Sequence, residues 1–239
     1  MGNAAAARGE KLWEPSAEAV EASNLTAYAR WLAAGRGLDF AGDYHALWRW
    51  SVADIDAFWR SIWDHFEVLA DEPPAATLGE RAMPGAEWFP GTRLSYPEHI
   101  FRGRDDAALA IQHQAEGGEL GRITWGELRR RVAAFADGLR RLGVEPGDRV
   151  CAYLPNSPEA IVGFLAASSL GATWSSCSPD FGARSVVDRF AQIEPKVLIA
   201  VDGYRYGGKD FDRRELVDGL RREMPSVQHT VLIPYLECG

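Results

Sequence analysis

The 239-residue chain is 46% hydrophobic and 25% charged, an ordinary globular balance, and its length suits one large domain or two small ones. Its 34 acidic residues outnumber its 26 basic ones, giving a net charge of −8. This excludes a broad nucleic-acid footprint, which needs clustered Lys and Arg, but leaves room for a local basic pair on a small anion.

The start, Met1-Gly2-Asn3-Ala4-Ala5-Ala6, resembles a myristoylation signal but carries Ala6 where Ser or Thr is required. No apolar core follows it, so it does not read as a secretory signal. The Ala-rich residues 1–12 are expected to fray. A short helix is predicted from Ser16 to Gly35. Tyr44 to Trp50 leads into a stronger helix with Ser51 as its N-cap and Asp54 in its first turn. Val52, Ile55, Phe58, Trp59, Ile62, Trp63 and Phe66 recur at helical spacing and form an apolar stripe that packs on a larger body. Six of the nine Trp residues lie before residue 64, which marks this region as packed. Asp71 to Pro90, punctuated by Pro and Gly, reads as an extended connection.

A strand is predicted at Ala107–Gln112, a hairpin tip at Glu116–Gly121 and a returning strand at Arg122–Thr124. Thr124 and Glu127 form a capping box. The helix behind it carries Leu128, Val132, Phe135, Ala136, Leu139 and Leu142 on one face. Arg129, Arg130, Arg131, Arg140 and Arg141 lie on the other, read as a solvated face. Gly143 suits a left-handed terminator.

From Pro146 the order becomes regular. Strands at Arg149–Leu154, Thr173–Cys177, Lys196–Asp202 and His229–Pro234 alternate with helices at Pro158–Leu170, Arg184–Ile193 and Arg213–Met224. That alternation predicts a mostly parallel sheet with right-handed crossovers. In such sheets ligands bind beyond the carboxyl ends of the strands. Attention therefore falls on the loop Ser176–Gly182 and on the segment after Asp202. The longest apolar stretch, Ala160–Trp174, is broken by Ser168, Ser169 and Gly171 and falls short of the ~20 residues that span a bilayer. Of the three cysteines, Cys151 and Cys177 lie in predicted strands, and no CxxC occurs. A reducing, cytoplasmic setting is the expectation.

Gly203-Tyr204-Arg205-Tyr206-Gly207-Gly208-Lys209-Asp210 nearly matches GxxxxGK[ST], the phosphate-cradling P-loop. Asp210, however, stands where the Mg-ligating hydroxyl belongs. A milder reading places Arg205 and Lys209 on a loop as a site for one phosphate, and a solvated loop is the alternative. Asp180 reads first as a cap for the following helix and second as a ligand contact. The five histidines show no metal spacing.

The chain resembles the adenylate-forming acyl-CoA synthetases, and within them the acetoacetyl branch. The resemblance is carried by Tyr44, Leu47 and Trp50-Ser51-Val52; by Phe58-Trp59 and Trp88-Phe89-Pro90-Gly91; and by Thr124 to Leu128. It continues through Gly147-Asp148-Arg149-Val150, Tyr153-Leu154-Pro155-Asn156 and Gly171-Ala172-Thr173-Trp174-Ser175-Ser176. Ser178-Pro179-Asp180-Phe181-Gly182, Arg189-Phe190, Gln192 to Leu198 and Tyr204-Arg205-Tyr206 complete it. At Leu94 to His99 the chain departs modestly from the usual Asn-Tyr-Ala-Glu-Asn.

The resemblance implies an α/β fold: a helical N-terminal cap over residues 1–100, then the first parallel βα units of an acyl-CoA synthetase-like large domain over residues 101–239. It also implies an acid–CoA ligase that uses ATP, Mg and CoA. Such a ligase makes an acyl-adenylate and pyrophosphate, and the CoA thiolate then displaces AMP. The family's Ser/Thr/Gly-rich phosphate loop, Mg-binding acid, ribose-binding Asp and late Lys are not found in these 239 residues, so an N-terminal portion with no catalytic residue of its own is expected. By position, the CoA contacts of the family fall on Ser178, Pro179, Asp180 and Phe181 and on Arg205 with Lys209. The partners implied are small molecules (a short acid, CoA, ATP), with no nucleic acid and no membrane. The alternatives are a non-catalytic remnant or interaction module exposing the edge strand Thr230–Ile233, and a P-loop nucleotide-binding protein.

Overall fold

The computed structural model describes residues 9, 11–40 and 42–236, so the signal-like start Met1–Ala6 and Cys238 lie outside the described residues. The chain forms two compact units that divide between Arg93 and Leu94.

The first unit is helical: α1 (Ala17–Glu21), α2 (Asn24–Arg36), α3 (Tyr44–Ala53) and α4 (Ile55–His65). The single helix expected from Ser16 to Gly35 is two. Ser23 is the reason, because its hydroxyl accepts from the Thr26 N–H and caps α2 as a fresh start. The cap of the aromatic helix is likewise Asp54, not Ser51. Asp54 accepts from the Ala57 N–H at 3.0 Å. Ser51 sits inside α3 and bonds back to the Trp48 carbonyl. Val52 therefore leaves the stripe and is exposed. Within the stripe, Phe58 and Ile62 pack on Tyr28, Leu32 and Leu47. Trp63 meets Phe89 with ring centroids 4.5 Å apart. Residues 71–90 hold no helix, only a bridge between Leu78 and Trp88.

The second unit opens with α5 (Tyr96–Phe101) and the antiparallel pair β1 (Leu109–His113) and β2 (Gly121–Thr124). Then come α6 (Trp125–Arg141), β3 (Arg149–Tyr153), α7 (Pro158–Ser169), β4 (Thr173–Cys177) and α8 (Ala183–Phe190). β5 (Val197–Val201), the hairpin β6 (Gly203–Tyr206) and β7 (Lys209–Asp212), α9 (Arg214–Glu223) and β8 (His229–Ile233) follow. Thr124 caps α6 through the Glu127 N–H at 3.2 Å, and Gly143 follows the helix at φ +78°. Arg129, Arg131 and Arg141 pair with Asp106, Glu127 and Asp137, so part of the positive charge of that face is matched.

The main sheet has the order β4-β3-β5-β8, and its three pairings are parallel. Arg149 is in register with Thr173, and Val150 with Val197. β5 is buried throughout and β3 nearly so, because helices cover both faces. Val150, Ala152, Val197 and Ile199 face α6 and α7. Cys151, Tyr153, Leu198 and Ala200 face α8 and α9, where Val186, Phe190, Val217 and Leu220 are buried. β4 and β8 are the edges and are only partly covered.

Candidate functional site

The carboxyl end of the main sheet carries the segments singled out from the sequence. The loop Ser178–Gly182 leaves β4, and the β6–β7 hairpin leaves β5. β4 and β5 are both neighbours of β3, so these two segments straddle the end of β3.

In the loop, Ser178 and Asp180 are exposed, Pro179 is buried and Phe181 is half-buried. The Phe181 ring packs toward the core on the α8–α9 side of the sheet, with the Arg189 guanidinium 5.0 Å from its centroid. Asp180 does not cap the next helix. The N-cap of α8 is Gly182, which offers no side-chain hydrogen bond. The exposed Asp180 carboxylate is thus left for solvent or a ligand.

Gly203–Asp210 is neither a P-loop nor an irregular loop. A P-loop opens a helix, whereas Gly207 and Gly208 form the tip of a β-hairpin at φ +59° and +73°. Both central residues lie in the left-handed region, as a type I′ hairpin turn requires. Register places Arg205 opposite Asp210 and Tyr206 opposite Lys209. Arg205 Nε and Nη2 donate to the Asp210 carboxylate at 2.6 and 3.1 Å. That pairing holds the Asp210 carboxyl below its ordinary value. The Glu116 carboxylate, at the tip between β1 and β2, accepts from the backbone N–H groups of Gly207 and Gly208 at 2.9 and 2.6 Å. The two N–H groups of the hairpin tip thus hold a carboxylate of the chain itself.

Several residues missed by the sequence reading organise this rim. Tyr153, the last residue of β3, is fully buried. Its hydroxyl lies 2.6 Å from the Pro179 carbonyl and 2.8 Å from the Phe181 carbonyl and donates its proton between them. Burial pushes this phenol up to about 12, against the opposing pull of Arg213. Arg213 Nε donates to the same Pro179 carbonyl at 3.0 Å, and its Nη2 donates to the Tyr204 hydroxyl at 3.0 Å. Asp202, at the end of β5, is buried, and its Oδ1 accepts from the Tyr235 and Leu236 N–H groups. The one local signal for Tyr153 and Asp202 was their place at strand carboxyl ends. Arg213 and Glu116 had none.

A cavity of about 230 Å³ lies farther along the rim, lined by His113, Asn156, Ser157, Glu159 and Tyr235 among others. Among the described residues no group of three or more His, Cys, Asp or Glu side chains is placed to hold a metal ion, and no helix is long and apolar enough to cross a membrane.

Comparison with known proteins agrees with this architecture. Residues 44–99 match the family described as acetyl-coenzyme A synthetase N-terminus, and residues 98–238 match the family described as AMP-binding enzyme. The chain is 40% identical over 224 residues to acetoacetyl-coenzyme A synthetase of Rhizobium meliloti, covering 94% of this chain and 34% of that protein. It is 38% identical over 230 residues to acetoacetyl-CoA synthetase of Rattus norvegicus, with the same coverage of 94% and 34%. The solved structure of acetoacetyl-CoA synthetase from Streptomyces lividans superposes with a TM-score of 0.90 at 48% identity, over 96% of this chain and 36% of that one. The chain thus spans about a third of the length of the curated relatives it matches. A parallel sheet wound on both faces, with its polar rim at the carboxyl ends of β3, β4 and β5 and a family match across nearly all of the second unit, places this chain in the AMP-binding enzyme family.

Proposed function

We propose that this chain supplies the CoA-facing rim of an ATP-dependent acid–CoA ligase of the acetoacetyl-CoA synthetase type. The overall reaction is ATP + acetoacetate + CoA to AMP, pyrophosphate and acetoacetyl-CoA. Residues 1–100 act as its N-terminal helical cap, and residues 101–239 as the first part of its adenylation domain. Ser178, Asp180 and Arg205 are the side chains offered to CoA. Pro179 and Phe181 give the loop its shape, and Lys209 adds positive charge beside the hairpin tip. ATP and Mg complete the reaction as substrates, with no residue of this chain assigned to Mg. The setting is cytoplasmic, and the partners are small molecules.

One observation carries the reading. The loop after β4 and the Arg205 hairpin after β5 flank one strand end, and the hairpin tip already binds a carboxylate through two backbone N–H groups. Titration of the purified chain with CoA and with 3′-dephospho-CoA tests it by calorimetry. Saturable binding is expected, several-fold tighter for CoA, because a charge-assisted contact to the 3′-phosphate contributes about 1 kcal/mol. No binding of either compound rejects it. The same chain is expected to release no pyrophosphate from ATP and acetoacetate; release would show that adenylation is complete within these residues.

A second reading, an interaction module, draws on β8. This strand is a sheet edge, and Leu232 on it is 47% exposed. Concentration-dependent self-association in sedimentation experiments, abolished by Leu232→Lys, would favour that reading.

A further inference from the structure

Pro179 is the point where three separate segments of the rim meet. Its carbonyl accepts from the Tyr153 hydroxyl at 2.6 Å, at the end of β3. It also accepts from Arg213 Nε at 3.0 Å, just past the β6–β7 hairpin. Arg213 is anchored on its own side by several contacts. Its Nη2 donates to the Tyr204 hydroxyl. Its guanidinium lies 5.0 Å from the Tyr204 ring centroid and 5.9 Å from that of Phe211. Those two rings stack at 5.1 Å across the hairpin. Its backbone N–H donates to the Asp202 carbonyl at 2.7 Å. One planar cation therefore holds the hairpin through Nη2 and its face, and the loop after β4 through Nε. β4 and β5 do not touch each other in the sheet. This bridge, together with Tyr153 beneath it, ties their two carboxyl-end segments across β3.

We propose that Arg213 and Tyr153 are positioning residues that fix the spacing between the Ser178–Phe181 loop and the hairpin carrying Arg205, so that a long phosphorylated ligand meets both segments at once. The inference rests on the CoA reading above and adds to it the residues that set the span of the site. Lys cannot replace Arg213, because an ammonium lacks the planar fork that reaches two acceptors in fixed directions and stacks on rings. Tyr153→Phe keeps the ring in place and removes the hydroxyl that donates to the Pro179 and Phe181 carbonyls.

The test compares wild type, Arg213→Lys and Tyr153→Phe with two probes: CoA, which spans loop and hairpin, and adenosine 3′,5′-bisphosphate, which is too short to do so. Each lost hydrogen bond is expected to weaken CoA binding by about threefold to tenfold. Binding of the bisphosphate is expected to stay within about twofold, because Arg205 and Lys209, the cations offered to it, are kept in both variants. In amide ¹H–¹⁵N spectra without ligand, Arg213→Lys is expected to move the resonances of Asp180 and Phe181 along with those of Tyr204 and Arg205, leaving β8 in place. Equal weakening of both probes would reduce the two residues to general structural support and overturn the proposal. So would unchanged CoA binding in both variants. Should Arg213→Lys fail to fold, Tyr153→Phe alone decides by the same comparison. Failure of wild type to bind CoA would instead overturn the underlying CoA reading, a result distinguishable from wild-type binding that the variants share.

Discussion

Arg205 and Asp210 face each other across the hairpin, joined by two hydrogen bonds of 2.6 and 3.1 Å. The cation offered to a phosphate is thus already matched by a carboxylate one strand away. Both side chains are about half exposed, so solvent and salt weaken the pair and a phosphate can compete for it. Asp210→Asn is expected to tighten CoA binding by about threefold at low salt, and Arg205→Ala to weaken it by about tenfold. Both effects should shrink for 3′-dephospho-CoA. Calorimetry at two ionic strengths checks this, and equal effects on the two ligands would remove Arg205 from the phosphate.

Asp148 and Lys196 form a less exposed pair. Lys196 Nζ donates to Asp148 Oδ2 at 2.8 Å and to the Gly143 carbonyl. The hydrogen bond from Lys196, followed by that from the Glu145 N–H, holds the Asp148 carboxyl below its ordinary value. A carboxyl lowered in the folded state binds its proton more readily when unfolded. Its contribution is therefore complete above the ordinary carboxylate range, near pH ~3.9, and is lost as pH falls through the folded value. Asp148→Asn is expected to cost about 1–2 kcal/mol at pH 7. The gap from wild type should narrow on acidification below pH ~4. Urea denaturation at both pH values measures it, and a gap that widens on acidification would contradict the assignment.

Gly163 on α7 faces Trp174 on β4. A Cβ at position 163 would lie 2.7 Å from Trp174 Cη2 and 3.1 Å from Cζ3. Gly163→Ala is therefore expected to destabilise by about 1–3 kcal/mol despite Ala's better helix propensity. The double variant Gly163→Ala/Trp174→Phe should recover part of that loss. Denaturant midpoints decide, and a neutral single variant would mean that the indole moves aside freely.

Cys151 and Cys177 lie on the α8–α9 side of the sheet. Burial pushes the thiol of Cys151 up to about 12 and that of Cys177 up to about 11. Neither is a thiolate at neutral pH, so both are expected to react with a disulfide reagent at least about a hundredfold more slowly than a free thiol. Unfolding in guanidinium should restore the ordinary rate. Rapid native labelling at Cys151, read by mass spectrometry, would contradict its burial.

Much of the fold was legible in the sequence because its signals are local. Val197–Val201 reads as a strand because five consecutive apolar residues suit a position with both faces covered. Thr124 and Glu127 marked the start of α6, and the order of strands and helices implied the parallel sheet. Caps were harder. Ser51 and Asp54 both suit the role, and the helix pair formed by α3 and α4 decided between them. The β6–β7 hairpin was missed because Lys209 drew attention to a phosphate loop, although adjacent glycines between short strands are themselves a turn signal.

The rim of the candidate site depends on tertiary structure. Ser178–Phe181 and Arg205 could be named from position alone. What holds them could not, since Arg213 and Pro179 are 34 residues apart and Glu116 and Gly207 are 91 apart. No periodicity encodes such meetings. They follow from strand order, which seats β3 between β4 and β5 and so brings one arginine, one buried tyrosine and one loop carbonyl within hydrogen-bonding reach.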